Sequence, residues 1–143
     1  YHNADDQLFQ NVTIPTNLTS GVLSFWYWSS SSETGAGRDY FTLQLLDPNT
    51  GDHYADAFYI EPLPPTNGWR FATYTLTSDQ INAIRGQTVR VRFRVTTNSS
   101  LLSSFFIDDV SFQINRSLAL TQKPTTPASR SSHLGFWPIG TGS

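Results

Sequence analysis

The 143-residue chain has no cysteine and no methionine, and its single lysine is Lys123. Without cysteine there are no disulfides, thiolate metal ligands or thiol nucleophile, and the redox compartment stays open. The lack of methionine, with Tyr1 as the opening residue, reads as a processed or excerpted product. One lysine and a net charge of −2 offer no basic surface to neutralise nucleic-acid phosphates. No apolar run approaches the roughly 20 residues of a membrane-spanning helix. A Gly-x-Ser-x-Gly elbow, a phosphate loop and a glycine-rich dinucleotide turn are missing too, and Gly35-Ala36-Gly37 is merely a pliable loop. His2, His53 and His133 fall in three separate regions, with no metal-site or base–nucleophile spacing. These absences predict a protein that is not an enzyme, folds without a cofactor, and has neither a nucleic-acid partner nor a membrane span.

What is present is period two. Strands are predicted at about 7–14, 21–28, 39–47, 53–60, 69–76, 87–97 and 104–114, each bounded by Gly, Pro, Asn, Asp or Ser. In Val89-Arg90-Val91-Arg92-Phe93-Arg94-Val95 the apolar residues face a core and the arginines face out, the pattern of a half-buried antiparallel strand. The arginines are expected to pair with acidic neighbours across the strand. Phe25, Leu43, Leu45, Val91, Phe93 and Ile107 are the expected core. One short helical turn is predicted from Thr77 to Gly86, capped by Ser78-Asp79. Many short strands with regular turn signals predict an all-β, antiparallel sandwich spanning residues 1–115.

Three stretches resemble the jelly-roll domains of secreted bacterial proteins, among them carbohydrate-binding modules and modules appended to peptidases and glycosidases. They are Leu23-Ser24-Phe25-Trp26-Tyr27-Trp28 with its polar loop, Gly68-Trp69 through Leu76 closed by Arg85 to Phe93, and Ser104-Phe105-Phe106-Ile107-Asp108-Asp109-Val110-Ser111-Phe112. The resemblance implies a jelly-roll-like sandwich more firmly than any function, since such folds serve many roles. It also implies a structural calcium, held by Asp108 or Asp109 with oxygens near the amino terminus, for which Asn3, Asp5 and Asp6 are available. The opening residues depart from the Asn-Gly-Asp-Phe-Glu-like start of those modules. From the residues alone, adjacent carboxylates on a strand point to opposite faces, so Asp108 and Asp109 are not expected to act on one substrate. One would then accept backbone N–H groups and the other face water.

Aromatic residues make up 14% of the chain. Trp26 and Trp28 fall on one face of their strand, with Phe25 and Tyr27 on the other, so one face is left in apolar excess. Trp26, Trp28 and Trp69 are candidate sugar-binding rings, because an exposed planar ring covers the C–H face of a sugar. The plainer alternative buries most rings in the core. Asn11, Asn17, Asn98 and Asn115 each stand in an Asn-x-Ser/Thr sequence, candidate glycan acceptors in a secreted glycoprotein.

Residues 116–133 are rich in Pro, Ser and Thr and read as a linker. The apolar hook at 134–143 follows, with Leu134, Phe136, Trp137 and Ile139 as its candidate inter-subunit contacts. An extended chain of 16 residues, 118–133, reaches roughly 50 Å, against a body about 35 Å wide. The tail can thus dock as a donor strand on the next molecule, although folding back on its own body competes. The favoured expectation is a subunit of an extracellular filament or cell-surface assembly, a homopolymer joined head to tail. The alternative is a carbohydrate-binding or adhesion module of a larger secreted protein.

Overall fold

Alternation sorts the side chains of each strand, and the sorted faces then close on one another. The structure is a computed structural model that describes residues 4–31, 39–61, 64–97, 103–118 and 129–135. The elements are β1 (Asp5–Thr13), β2 (Leu18–Ser31), β3 (Tyr40–Leu46), β4 (His53–Ile60), β5 (Arg70–Thr75), α1 (Ser78–Ile84), β6 (Thr88–Thr96), β7 (Ser103–Ser117) and β8 (Ser129–Gly135). They form two antiparallel four-stranded sheets, ordered β1-β6-β3-β4 (sheet A) and β5-β2-β7-β8 (sheet B), packed as a β-sandwich. The pairs β2–β7 and β3–β6 nest one inside the other, a jelly-roll-like winding. Among the described residues, no helix is long and apolar enough to cross a membrane.

The six expected core residues are all buried, and Phe25 sits at the centre. Its ring lies 5.3 Å from Phe93, 5.4 Å from Phe58 and 5.8 Å from Phe41, and Phe41 stacks on Phe105 at 4.0 Å. The two sheets are thus joined through interlocking rings, each worth more than its buried area alone. Gly21 on β2 allows the tightest approach, since a Cβ there would lie 2.9 Å from Leu76 Cδ1 and 3.0 Å from Phe112 Cε1.

Helix α1 plugs one end of the sandwich with Ile81 and Ile84. Its cap is one residue earlier than the sequence suggested. Thr77, not Ser78-Asp79, is the N-cap, and its hydroxyl accepts the Gln80 N–H while the Gln80 side chain accepts the Thr77 N–H. Gly86 follows at φ +70°, where a glycine is unstrained.

Two differences from the sequence reading lie at the carboxyl end. β7 continues to Ser117, and Ser129–Gly135, assigned mostly to the linker, pairs with β7 of the same chain from Ser117↔Ser129 to Ser111↔Gly135. Backbone pairing at a sheet edge needs no apolar alternation, so the composition of 129–133 hides a strand.

Candidate functional site

The strands that bury Phe25 must turn its neighbours outward. Trp26 and Trp28, each 40% exposed, lie on the outer face of sheet B, joined there by Trp69 at 39% and Phe71 at 55%. Register makes the cluster. Trp26 stands opposite Phe71 on β5 and Asp108 on β7, while Trp28 stands opposite Phe106. The Trp26 and Phe71 rings are 5.3 Å apart at 52°, and Trp28 and Trp69 are 6.0 Å apart at 75°. Trp69, expected on another strand, is therefore brought beside Trp26 and Trp28, and Phe71, which the sequence reading did not single out, is added.

Trp69 precedes β5 and is held by the segment before it. The Thr66 N–H donates to the Ser29 carbonyl (2.8 Å), and the Ser29 N–H donates to the Thr66 hydroxyl (3.0 Å). This two-bond clamp ties the segment to β2 beside Trp28. Gly68, at φ +94°, makes the turn that leads into Trp69.

The expectation that Asp108 and Asp109 face opposite ways is corrected. Between Ser24↔Ser111 and Trp26↔Asp108 the β7 strand carries one extra residue, and Asp109 lies at φ +49°. Such a bulge breaks the two-residue alternation and re-aims a side chain. Both carboxylates consequently line one open hollow of about 290 Å³ with Trp26 and Trp69. Asp108 Oδ1 also accepts the Asp109 N–H at 2.8 Å, which fixes its orientation.

The amino-terminal oxygens implied for a calcium site lie elsewhere. Asp5 and Asp6 belong to β1 of sheet A, and Asp5 accepts two bonds of 2.7 Å from Arg94. Asn3 falls outside the described residues. Among the described residues, no three His, Asp or Glu side chains are grouped to hold a metal ion. The Arg94 guanidinium holds the Asp5 carboxyl below its ordinary value, chiefly through these hydrogen bonds.

The other arginines of β6 find neutral partners rather than acidic ones. Arg92 donates to Gln44 Oε1 (2.6 Å), and Arg90 donates to Asn11 Oδ1 (3.0 Å) while stacking 4.2 Å over the Phe9 ring.

Of the sequon asparagines, Asn11 is exposed, whereas the Asn17 and Asn115 side-chain amides donate to the Ser117 carbonyl and the Ser20 hydroxyl. Asn98 lies outside the described residues, as do Phe136, Trp137 and Ile139 of the hook. Leu134 is placed in β8 opposite Phe112.

Comparison with protein-family models and with curated proteins finds no match to this chain.

Proposed function

We propose that this chain is a glycan-binding, adhesion-type module that acts outside the cell, holding carbohydrate on the outer face of sheet B. The observation that carries the reading is the convergence of four exposed rings and two carboxylates on that face. Exposed rings of this size are unfavourable in water unless something covers them, and a sugar offers C–H faces to rings and hydroxyls to carboxylates. The rings are tilted 52° and 75° to their neighbours rather than coplanar. A single glycan chain settling into the hollow suits this corrugation better than a flat crystalline surface. In this reading Trp26 and Trp69 stack on the sugar, Asp108 and Asp109 accept its hydroxyls, and no bond is broken.

The test is affinity electrophoresis through gels carrying soluble cellulose, chitin or xylan derivatives. The native chain should be retarded by at least one, and Trp26→Ala/Trp69→Ala should be retarded clearly less by that polysaccharide. Retardation left unchanged by the double substitution would remove the reading.

A second reading, the filament subunit, draws on β8. A strand that follows β7 and adds to the edge of its own sheet is paired there through its backbone, and a neighbouring copy's segment could make the same pairs. Deleting residues 129–143 should then leave a folded monomer, checked by light scattering and electron microscopy. Fibres that persist after the deletion would exclude it.

A further inference from the structure

We infer that the outer face of sheet A carries a second ligand site, distinct from the tryptophan face, which takes a neutral hydroxyl-rich chain such as a soluble oligosaccharide. It is an open groove of about 470 Å³ lined by residues of three strands, among them Tyr40, Thr42, Gln44, Asp56, Tyr59 and Arg94. Tyr40 and Tyr59 stack at 6.0 Å and 27°, forming an aromatic wall at its side. Thr42 stands directly between Arg94 and Tyr59 in the cross-strand register.

Thr42 is the informative residue. It is only 7% exposed, and among the described residues its hydroxyl has no hydrogen-bond partner. A buried hydroxyl without a partner is destabilising, and valine would fill the same space without that penalty. A threonine facing into a groove is explained if a ligand hydroxyl completes its bond.

The groove's other polar groups are already fixed. Gln44 accepts from Arg92 (2.6 Å) and donates to Asp56 (2.9 Å), and Asp56 also meets His53 at 2.8 Å. Arg94 is engaged at both ends of the Asp5 carboxylate. Donors and acceptors held in place before binding reduce the ordering that binding requires. Asp5 offsets Arg94, and Asp56 is held by Gln44 and His53, so among its lining residues the groove presents no charge without a partner. It offers fixed donors and acceptors to hydroxyls and a ring wall to C–H faces, the chemistry of an uncharged saccharide.

The experiment is isothermal titration of the intact chain with cellohexaose, xylohexaose, mannohexaose and laminarihexaose. Three variants accompany it: Tyr59→Ala, whose side chain is exposed, Thr42→Val, and Trp26→Ala/Trp69→Ala. At least one hexasaccharide should bind, with affinity falling about tenfold or more in Tyr59→Ala and severalfold in Thr42→Val. The tryptophan double variant should keep this binding. The melting temperature of Thr42→Val should stay level or rise, because the hydroxyl has nothing to bond in the free protein.

Absence of binding by all four sugars overturns the inference, as does binding indifferent to Tyr59→Ala. A clear fall in the melting temperature of Thr42→Val would also overturn it, since the hydroxyl would then already have a partner. Hexasaccharide affinity that falls in Tyr59→Ala but not in the tryptophan variant, beside gel retardation that falls in the tryptophan variant, separates the two sites. Failure of one therefore leaves the other standing.

Discussion

The two outer faces of the sandwich obey the same alternation and end up different in character: arginines interleave with Phe9, Tyr40 and Tyr59 outside sheet A, while three tryptophans gather outside sheet B. Outside sheet A, Arg90, Arg92 and Arg94 lie half-buried on the face opposite Val89, Val91 and Phe93, and each finds a cross-strand partner. Outside sheet B, Trp26, Trp28 and Phe71 take the outward positions above Phe25 and Ala72, and Trp69 joins them. Arginines on an outward face need no explanation, because their heads bond to cross-strand partners and their stems cover apolar surface. Four outward rings do need one. The difference shows that the inward residues specify the fold, while the outward residues are free to be chosen for what the surface must hold.

The first way to break this comparison is through the core that both faces share. Phe93→Ala should lower stability by about 3–5 kcal/mol, through lost transfer energy and the cavity left against Phe25 and Phe41. Urea denaturation measures it, and an unmoved midpoint would mean that the inward face of β6 is wrongly placed. Next in size is Gly21→Val, where even the Cβ would lie 2.9 Å from Leu76 and 3.0 Å from Phe112, closer than ordinary contact. Overpacking should cost roughly 1–3 kcal/mol in the same assay. A neutral result would show that sheet B yields locally. Thr77→Ala removes the capping box of α1 and should cost about 1 kcal/mol. Thr77→Ser should recover most of it.

The smallest effect separates the faces by pH. Hydrogen bonds from Arg94 lower the Asp5 value, and the Asn49 and Thr50 N–H groups lower that of Asp47, both from the ordinary 3.8. Because the folded values lie below the unfolded ones, their contribution is fully present above the unfolded value and is lost as pH falls through the folded one. Acid below about pH 4 should therefore speed amide exchange in β1 and in the β3–β4 turn of sheet A, leaving β5 unchanged. Asp5→Asn and Asp47→Asn should remove the pH dependence. Equal loosening of both sheets would erase the contrast.

Much of the fold was legible because its strands are cleanly patterned. Val89 to Val95 could be read as a half-buried strand without any structure, and the all-β sandwich followed from repeating that pattern. The ring cluster was half legible. Trp26 and Trp28 share a face by period two, but only register shows that Phe71 and Trp69 lie beside them. Neither the bulge nor β8 was legible, each for a different reason. An aspartate at φ +49° leaves no trace in a run that reads as Phe-Ile-Asp-Asp-Val, whose alternation alone sends the two carboxylates to opposite faces. Ser129 to His133 has no alternation to reveal a strand whose pairing is made by backbone. The sheet A groove joins residues from β3, β4 and β6, and no local motif could have announced it.

The central claim, that the outward rings of sheet B bind glycan, is tested most directly by tryptophan emission. Three of the chain's four tryptophans are in this cluster. Titrating the native chain with the polysaccharide that retards it should shift the emission to the blue and saturate, while Trp26→Ala/Trp69→Ala shows no saturable shift. Emission that stays unmoved in the native chain while that polysaccharide still binds would contradict the account.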